Sequence, residues 1–321
     1  MANKAADVSW TVLTPRDGGL FFNEGWLLSP LRWRRPKTVI IGEIIDLFHE
    51  DVPDDWIDKV FAVMALAPQH QFMVLTKRAK RMREYLSHPT VSVNAGFNAL
   101  GIALENPTLR LGKDVILKGT DITPGALKLW PLPNVALGVT AEDQERADER
   151  IPDLLATPAA KRFVSIEPML GAIDLTSLRN HAGLGEGQRW LNALGARGYG
   201  YVYEGVDSCP VPRLDLVICG GESGPNARPM HPDWPRSLRD QCATAGVPFN
   251  FKQWGNWAPE KVSTPISEAF GSGAPYVAWA DGTIAHGSAA DHGGNGIMLY
   301  NIGKRRAGCL LDGVEHDGVL P

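Results

Sequence analysis

The sequence predicts an α/β fold, a partial (β/α) TIM-like barrel, on three observations. Six short apolar segments recur along the chain, helix or loop signals follow each, and each ends in polar side chains suited to chemistry. Alternation of strand and helix favours parallel pairing. In parallel α/β barrels the site sits at the carboxyl ends of the strands, where loops from the whole sheet converge.

Val39-Ile40-Ile41-Gly42 is the first strand and opens onto Glu43 and Asp46, with His49 just beyond. Acids then crowd the first turn of a helix from Asp54 to Met64, which suits its dipole. Trp56, Ile57, Val60, Phe61, Val63 and Met64 form its core-facing stripe, and Pro68 ends it. Phe72-Met73-Val74-Leu75 runs into Thr76, Lys77 and Arg78, with a second helix expected over 78–86. Val135 to Val139 runs into Thr140 and Glu142; the helix beginning near Asp143 contains Pro152, expected to kink or divide it. Phe163-Val164-Ser165-Ile166 delivers Glu167, and Leu216-Val217-Ile218-Cys219 delivers Gly220-Gly221-Glu222-Ser223-Gly224. A helix from about Asp233 stops at Gly246, and Phe249-Asn250-Phe251 delivers Lys252 and Gln253.

Residues 1–254 are therefore expected to form the barrel domain. Insertions near 90–130 and 176–212 read as glycine-rich excursions, either lids or padding. Residues 255–321 form an irregular C-terminal extension of short strands or hairpins packed on the barrel. At 321 residues the chain can bury a large core, and a net charge of −4 argues against a broad electrostatic footprint on DNA. The first residues lack the layout of a signal peptide and no apolar run reaches membrane-spanning length, so a cytoplasmic protein without a membrane partner is expected. Cys209, Cys219, Cys242 and Cys309 are scattered without C-x-x-C spacing, and no histidine pairing has metal-ligand spacing, so no metal site is expected.

Gly220-Gly221-Glu222-Ser223 has two readings. The glycines expose backbone N–H groups to an anionic ligand while Glu222 accepts from its ammonium or hydroxyl; otherwise they only turn the chain, and Glu222 pairs with an arginine. Glu167 has a similar choice. With Glu43 and Asp46 it could form a carboxylate pair for acid–base work, or each could be bridged to Lys77, Arg78 or Lys252. Lys77 and Lys252 are the candidate anion-binding or basic lysines, and His49 a candidate proton carrier. Arg32-Trp33-Arg34-Arg35 and Lys304-Arg305-Arg306 are short basic runs; the first, with its aromatic, suggests a nucleic-acid contact, against ordinary surface charge.

Blocks in order along the chain carry a family resemblance. They include Leu31-Arg32-Trp33-Arg34-Arg35-Pro36, Asp46 to Pro53, Val74-Leu75-Thr76-Lys77-Arg78 and Ser165-Ile166-Glu167-Pro168. Gly220 to Gly224 with Ala227 to Pro232, Phe251-Lys252-Gln253-Trp254-Gly255 and Ala307 to Gly313 continue it. The chain resembles the bacteriophage and prophage three-cysteine-motif proteins, a group similar to the radical S-adenosylmethionine (SAM) superfamily. The resemblance implies a partial barrel of radical-SAM type, with SAM held near Gly220, Gly221 and Glu222. It also implies three closely spaced cysteines after Val8-Ser9-Trp10-Thr11; that region reads Thr14-Pro15-Arg16-Asp17-Gly18-Gly19-Leu20-Phe21-Phe22 and has none. An iron–sulfur cluster is therefore not expected. Three functions follow: a cluster-free barrel enzyme binding SAM or another small anionic ligand; a non-catalytic partner of nucleic acid, nucleotide or a cluster-bearing homologue; or a non-redox hydrolase or lyase using paired carboxylates.

Overall fold

The computed structural model describes residues 8–16, 18–106, 130–184, 189–195, 212–259, 275–286 and 296–321. Two compact units account for the chain: Met1–Val139 with Ala156–Arg162, and Thr140–Leu155 with Phe163–Pro321.

The N-terminal unit opens with β1 (Val8–Ser9), the hairpin β2 (Leu13–Arg16) and β3 (Gly19–Phe22), and the short helices α1 (Glu24–Leu27) and α2 (Ser29–Arg32). Then follow β4 (Thr38–Ile41), α3 (Asp54–Leu66), β5 (Gln71–Thr76), α4 (Ala79–Leu86), α5 (Val91–Glu105) and β6 (Val135–Thr140). β1 pairs in parallel with β4, β4 with β5, and β5 with β6. All six residues of β6 are buried, as in a strand covered on both faces, where alternation disappears. The expected apolar stripe of α3 is buried at Ile57, Val60, Phe61, Val63 and Met64, while Trp56 lies outside it and stacks on Phe22 of the hairpin.

The C-terminal unit contains α6 (Gln144–Ala156), β7 (Lys161–Ile166), the small pair β8 (Leu178–Arg179) and β9 (Trp190–Leu191), β10 (Leu216–Gly220), α7 (Asp233–Ala245) and β11 (Phe249–Gln253). Thereafter come β12 (Trp257–Pro259), β13 (Tyr276–Ala278), β14 (Ile284–His286), β15 (Ile297–Asn301), α8 (Lys304–Ala307), β16 (Leu310–Leu311) and β17 (Val314–Glu315). β10 lies parallel between β7 and β11, and β12, β13, β14 and β15 form a separate antiparallel sheet. Within the N-terminal unit the parallel strands follow the order β1-β4-β5-β6, and within the C-terminal unit the order β7-β10-β11. The chain is thus mixed α/β with the six expected strands, plus β1.

Two elements add detail to the sequence expectations. Pro152 does not divide its helix: α6 runs unbroken over Gln144–Ala156 with the proline buried on its core side. The start of the 90–130 stretch forms α5, which packs on α3 and buries Val91, Ala95 and Ala99. Those residues fall at i, i+4 and i+8, and the small alanines let the two helices approach closely. Within the second stretch the described residues include the pair β8–β9, and the rest of both stretches lies outside the described residues.

The tail closes an edge that the sheet would otherwise expose. Phe251 N–H donates to His316 O (2.9 Å) and Gly318 N–H to Phe249 O (3.0 Å), so the chain end pairs along β11. Asp312, at the tip of the β16–β17 hairpin, accepts from Arg236 (2.7 Å) and Arg239 (2.8 Å) of α7, which pins that hairpin to the helix.

Candidate functional site

In the N-terminal unit the loop after β4 is set by a glycine. Gly42 has φ +100°, and a Cβ there would collide with the carbonyl oxygen of Leu75, so the turn leaving β4 presses directly on β5. Four residues later the Asp46 carboxylate is saturated. Oδ1 accepts from Phe48 N–H (2.9 Å) and Thr76 Oγ1–H (2.7 Å); Oδ2 accepts from Lys77 N–H (2.8 Å) and Arg78 Nη1–H (3.1 Å). Its side chain is 9% exposed. Arg78 also reaches Glu50, and Arg81 donates to the carbonyl of His49, to that of Val52 (2.6 Å) and to Asp54 Oδ1 (3.2 Å). Residues 46–54 are therefore tied to the end of β5 and to α4 by one aspartate and two arginines.

His49 belongs to that knot through its backbone, and its Nδ1 accepts from Asp51 N–H (3.2 Å). The exposed Lys77 contributes its amide to Asp46. Glu43 is different: its exposed carboxylate makes no hydrogen bond or ion pair among the described residues. It lines a shallow cleft between residues 9–13 and 41–45 at the carboxyl ends of β1 and β4.

In the C-terminal unit the sheet brings Glu167, Gly220, Gly221, Glu222 and Lys252 together. Lys252 Nζ lies 3.2 Å from Glu167 Oε2, and Ser165 Oγ donates to the same oxygen at 3.3 Å. The Glu167 side chain is 16% exposed and that of Lys252 is 52%, so the carboxylate is the fixed half and the ammonium the open half. A Cβ on Gly220 would lie 2.5 Å from Glu167 Oε1, so glycine makes room for the carboxylate. Gly221 has another reason: its Cβ would strike the Trp254 carbonyl oxygen, and its N–H donates to Gln253 O (2.9 Å).

That amide bond engages the Gly221 N–H within the fold, in keeping with the reading in which the glycines turn the chain. The loop is clasped to the segment after β11, with Asn256 N–H donating to Glu222 O (2.8 Å) and Asn256 Nδ2–H to Gly224 O (2.9 Å). Of the two readings for Glu222, the arginine pairing is realised. Arg228 donates from N (2.7 Å) and Nε (2.8 Å) to Oε2 and from Nη2 (2.9 Å) to Oε1, and these bonds hold the Glu222 pKa below its ordinary value. Ser223 is exposed beside it. Each carboxylate oxygen accepts about two hydrogen bonds, so Oε1 retains one acceptor position.

Sequence reasoning missed Arg150, which reaches back from α6 to Thr140 O (2.9 Å), Thr140 Oγ1 (3.1 Å) and Glu142 Oε2 (3.0 Å). Both members of that ion pair are 12% exposed, and Arg150 Nε is buried without a hydrogen-bond partner among the described residues. The polar end of β6 pointed to such a partner, but nothing local identified which arginine. Arg228 stood in a recognised block without an assigned role; a basic residue six positions after Glu222 was the available signal.

Cys219 and Cys242 are buried free thiols; burial pushes the first pKa well up and the second up to about 12, opposing the thiolate that iron requires. Cys309 is half-buried, and Cys209 lies outside the described residues. The segment where the resemblance calls for three cysteines is the hairpin β2–β3. No group of three His, Cys, Asp or Glu side chains is arranged around a metal position among the described residues, and no described helix is long and apolar enough to cross a membrane.

The class these features define is a mixed α/β protein with parallel strands and polar groups at their carboxyl ends. Over residues 2–320 the chain matches the family described as "Protein of unknown function (DUF5131)", and it belongs to that family. No curated protein and no solved structure matches it.

Proposed function

We propose that this protein is a cluster-free member of a radical-SAM-like, phage and prophage lineage, and that it binds a small ligand bearing a carboxylate or phosphate group at the carboxyl ends of β7, β10 and β11. The carrying observation is the Glu167–Lys252 pair, in which a fixed carboxylate holds an open ammonium at 3.2 Å. Lys252 can turn from Glu167 to an incoming carboxylate or phosphate without crossing the core. Glu167, released from that bridge, is then positioned by Ser165 to hold or accept a proton.

SAM is the ligand that the resemblance favours, and it carries the two groups this site can answer. Lys252 would take the carboxylate, and the remaining acceptor position on Glu222 would take the ammonium. When bound, SAM supplies an electrophilic methyl group. Cluster chemistry is not part of this reading, because the segment that should carry the thiolates is cysteine-free and its place is taken by a hairpin. A carboxylate pair sharing one proton is disfavoured too: Glu167, Glu222 and Asp46 each have a cation of their own.

Calorimetric titration of SAM into the wild type and into Lys252→Met and Glu222→Ala tests the proposal. Wild-type binding with at least a tenfold loss in Lys252→Met is expected, as about 1.4 kcal/mol corresponds to one missing charge-assisted bond. No binding by the wild type removes SAM from the reading. A stoichiometric cluster after anaerobic reconstitution, read by iron and sulfide analysis, overturns the cluster-free assignment.

A further inference from the structure

Several arginines of this fold answer a carboxylate. Arg78, Arg150, Arg228, Arg236 and Arg239 all sit in ion pairs. The segment 32–37 differs from these arginines, as does the exposed run Lys304-Arg305-Arg306, but only segment 32–37 holds an aromatic ring among its cations. It holds Arg32, Arg34, Arg35 and Lys37, and none of them forms an ion pair among the described residues. In a chain of net charge −4, four positive groups in six residues repel one another and have no carboxylate partner among the described residues. Such a concentration is stable only because the segment is held by other means.

Those means are visible. Trp33 N–H closes α2 on Pro30 O (3.3 Å), and Lys37 N–H donates to His70 Nδ1 (3.2 Å). Lys37 O in turn accepts from Gln71 N–H (2.9 Å) at the start of β5. His70 is buried, and burial lowers its pKa, consistent with a neutral ring that accepts at Nδ1 and donates through Nε2 to Pro30 O (3.0 Å). The half-buried Trp33 lies edge-on to His70 (5.5 Å between centroids), with Lys37 Nζ 5.7 Å from its own ring centre. Both ends and the middle of the run are therefore fixed, while Arg32, Arg34 and Arg35 stay exposed.

We infer that this fixed, unpaired basic run, Arg32-Trp33-Arg34-Arg35-Pro36-Lys37, is a contact surface for the phosphate backbone of single-stranded nucleic acid. Three of the four cations are arginines, whose planar fork matches phosphate oxygens. A single short run with an aromatic among its cations suits one strand, whose bases can reach a ring, better than the broad electrostatic footprint of a duplex. The contact is independent of any ligand at Glu167 and Lys252.

The test is fluorescence anisotropy with a labelled 20-nucleotide oligo-dT and an RNA of the same length, titrated with the full chain from 50 to 200 mM KCl. Four phosphate contacts predict a slope of about −2.8 in log affinity against log salt, or roughly a 50-fold loss over that range. The double variant Arg34→Glu/Arg35→Glu should cut affinity at least tenfold and flatten the slope to about half. Both residues are exposed, and an unchanged urea midpoint would show that the fold is intact. Absence of binding at 50 mM KCl overturns the inference. So does binding unaffected by the double variant, which would place the contact elsewhere, or equal affinity for a duplex of the same length.

Discussion

The polar strand ends of the two units use the same residue types to opposite purpose. In the N-terminal unit Asp46 accepts four hydrogen bonds and is nearly closed to solvent; its carboxylate is spent on the fold. In the C-terminal unit Glu167 has one hydroxyl and one half-exposed ammonium. A carboxylate at a strand end is thus not by itself a sign of a site. Its remaining coordination capacity is what separates a structural knot from a group free to meet a ligand.

The largest expected effect is on the knot. Asp46→Ala leaves Thr76, two amides and Arg78 without their acceptor and should lower unfolding stability by about 2–4 kcal/mol, read from the urea midpoint. Glu167→Gln should cost less than about 1 kcal/mol, because its partner is half-exposed and solvent replaces the bond. Equal losses would erase the distinction between the two units.

Gly221→Ala comes next. The added methyl would meet the Trp254 carbonyl, so β10 and the segment after β11 must separate, for about 2–3 kcal/mol. A neutral result would mean that this clasp is loose, and would reopen the reading of the glycines as a ligand cradle.

How much of this was legible follows from where each signal resides. The six strands are short apolar runs closed by polar residues, and that local pattern carried them. The α3 stripe was equally legible, since its buried positions repeat at helical spacing. α5 was not: Gly96, Gly101 and apolar residues on several faces blur the period, and its buried face is the small series Val91, Ala95 and Ala99. The role of Gly221 was hidden for another reason. Its obstacle is a carbonyl 33 positions away at Trp254, and a collision between distant backbones leaves no mark in local sequence. The pairing of Glu222 was foreseen only as one of two outcomes, because the choice between ligand and arginine depends on a turn that folds Arg228 back.

The smallest expected effect concerns that pair and is a matter of pH. Arg228 holds the Glu222 pKa below the ordinary value of 4.5, so the folded state binds this proton less readily than the unfolded chain does. The resulting stabilisation is present above about pH 4.5 and fades as pH falls through the lowered folded value. Glu222→Gln should therefore lose a little stability at neutral pH and show a shallower decline between pH 4.5 and the acid limit. Because Arg228 is more than half exposed, solvent screens much of the pair, and the difference should be a small shift in urea midpoint. An acid decline of the same steepness in both proteins would mean that the pair contributes nothing to folding; Glu222 would then belong with Glu167 among the carboxylates open to a ligand rather than with Asp46.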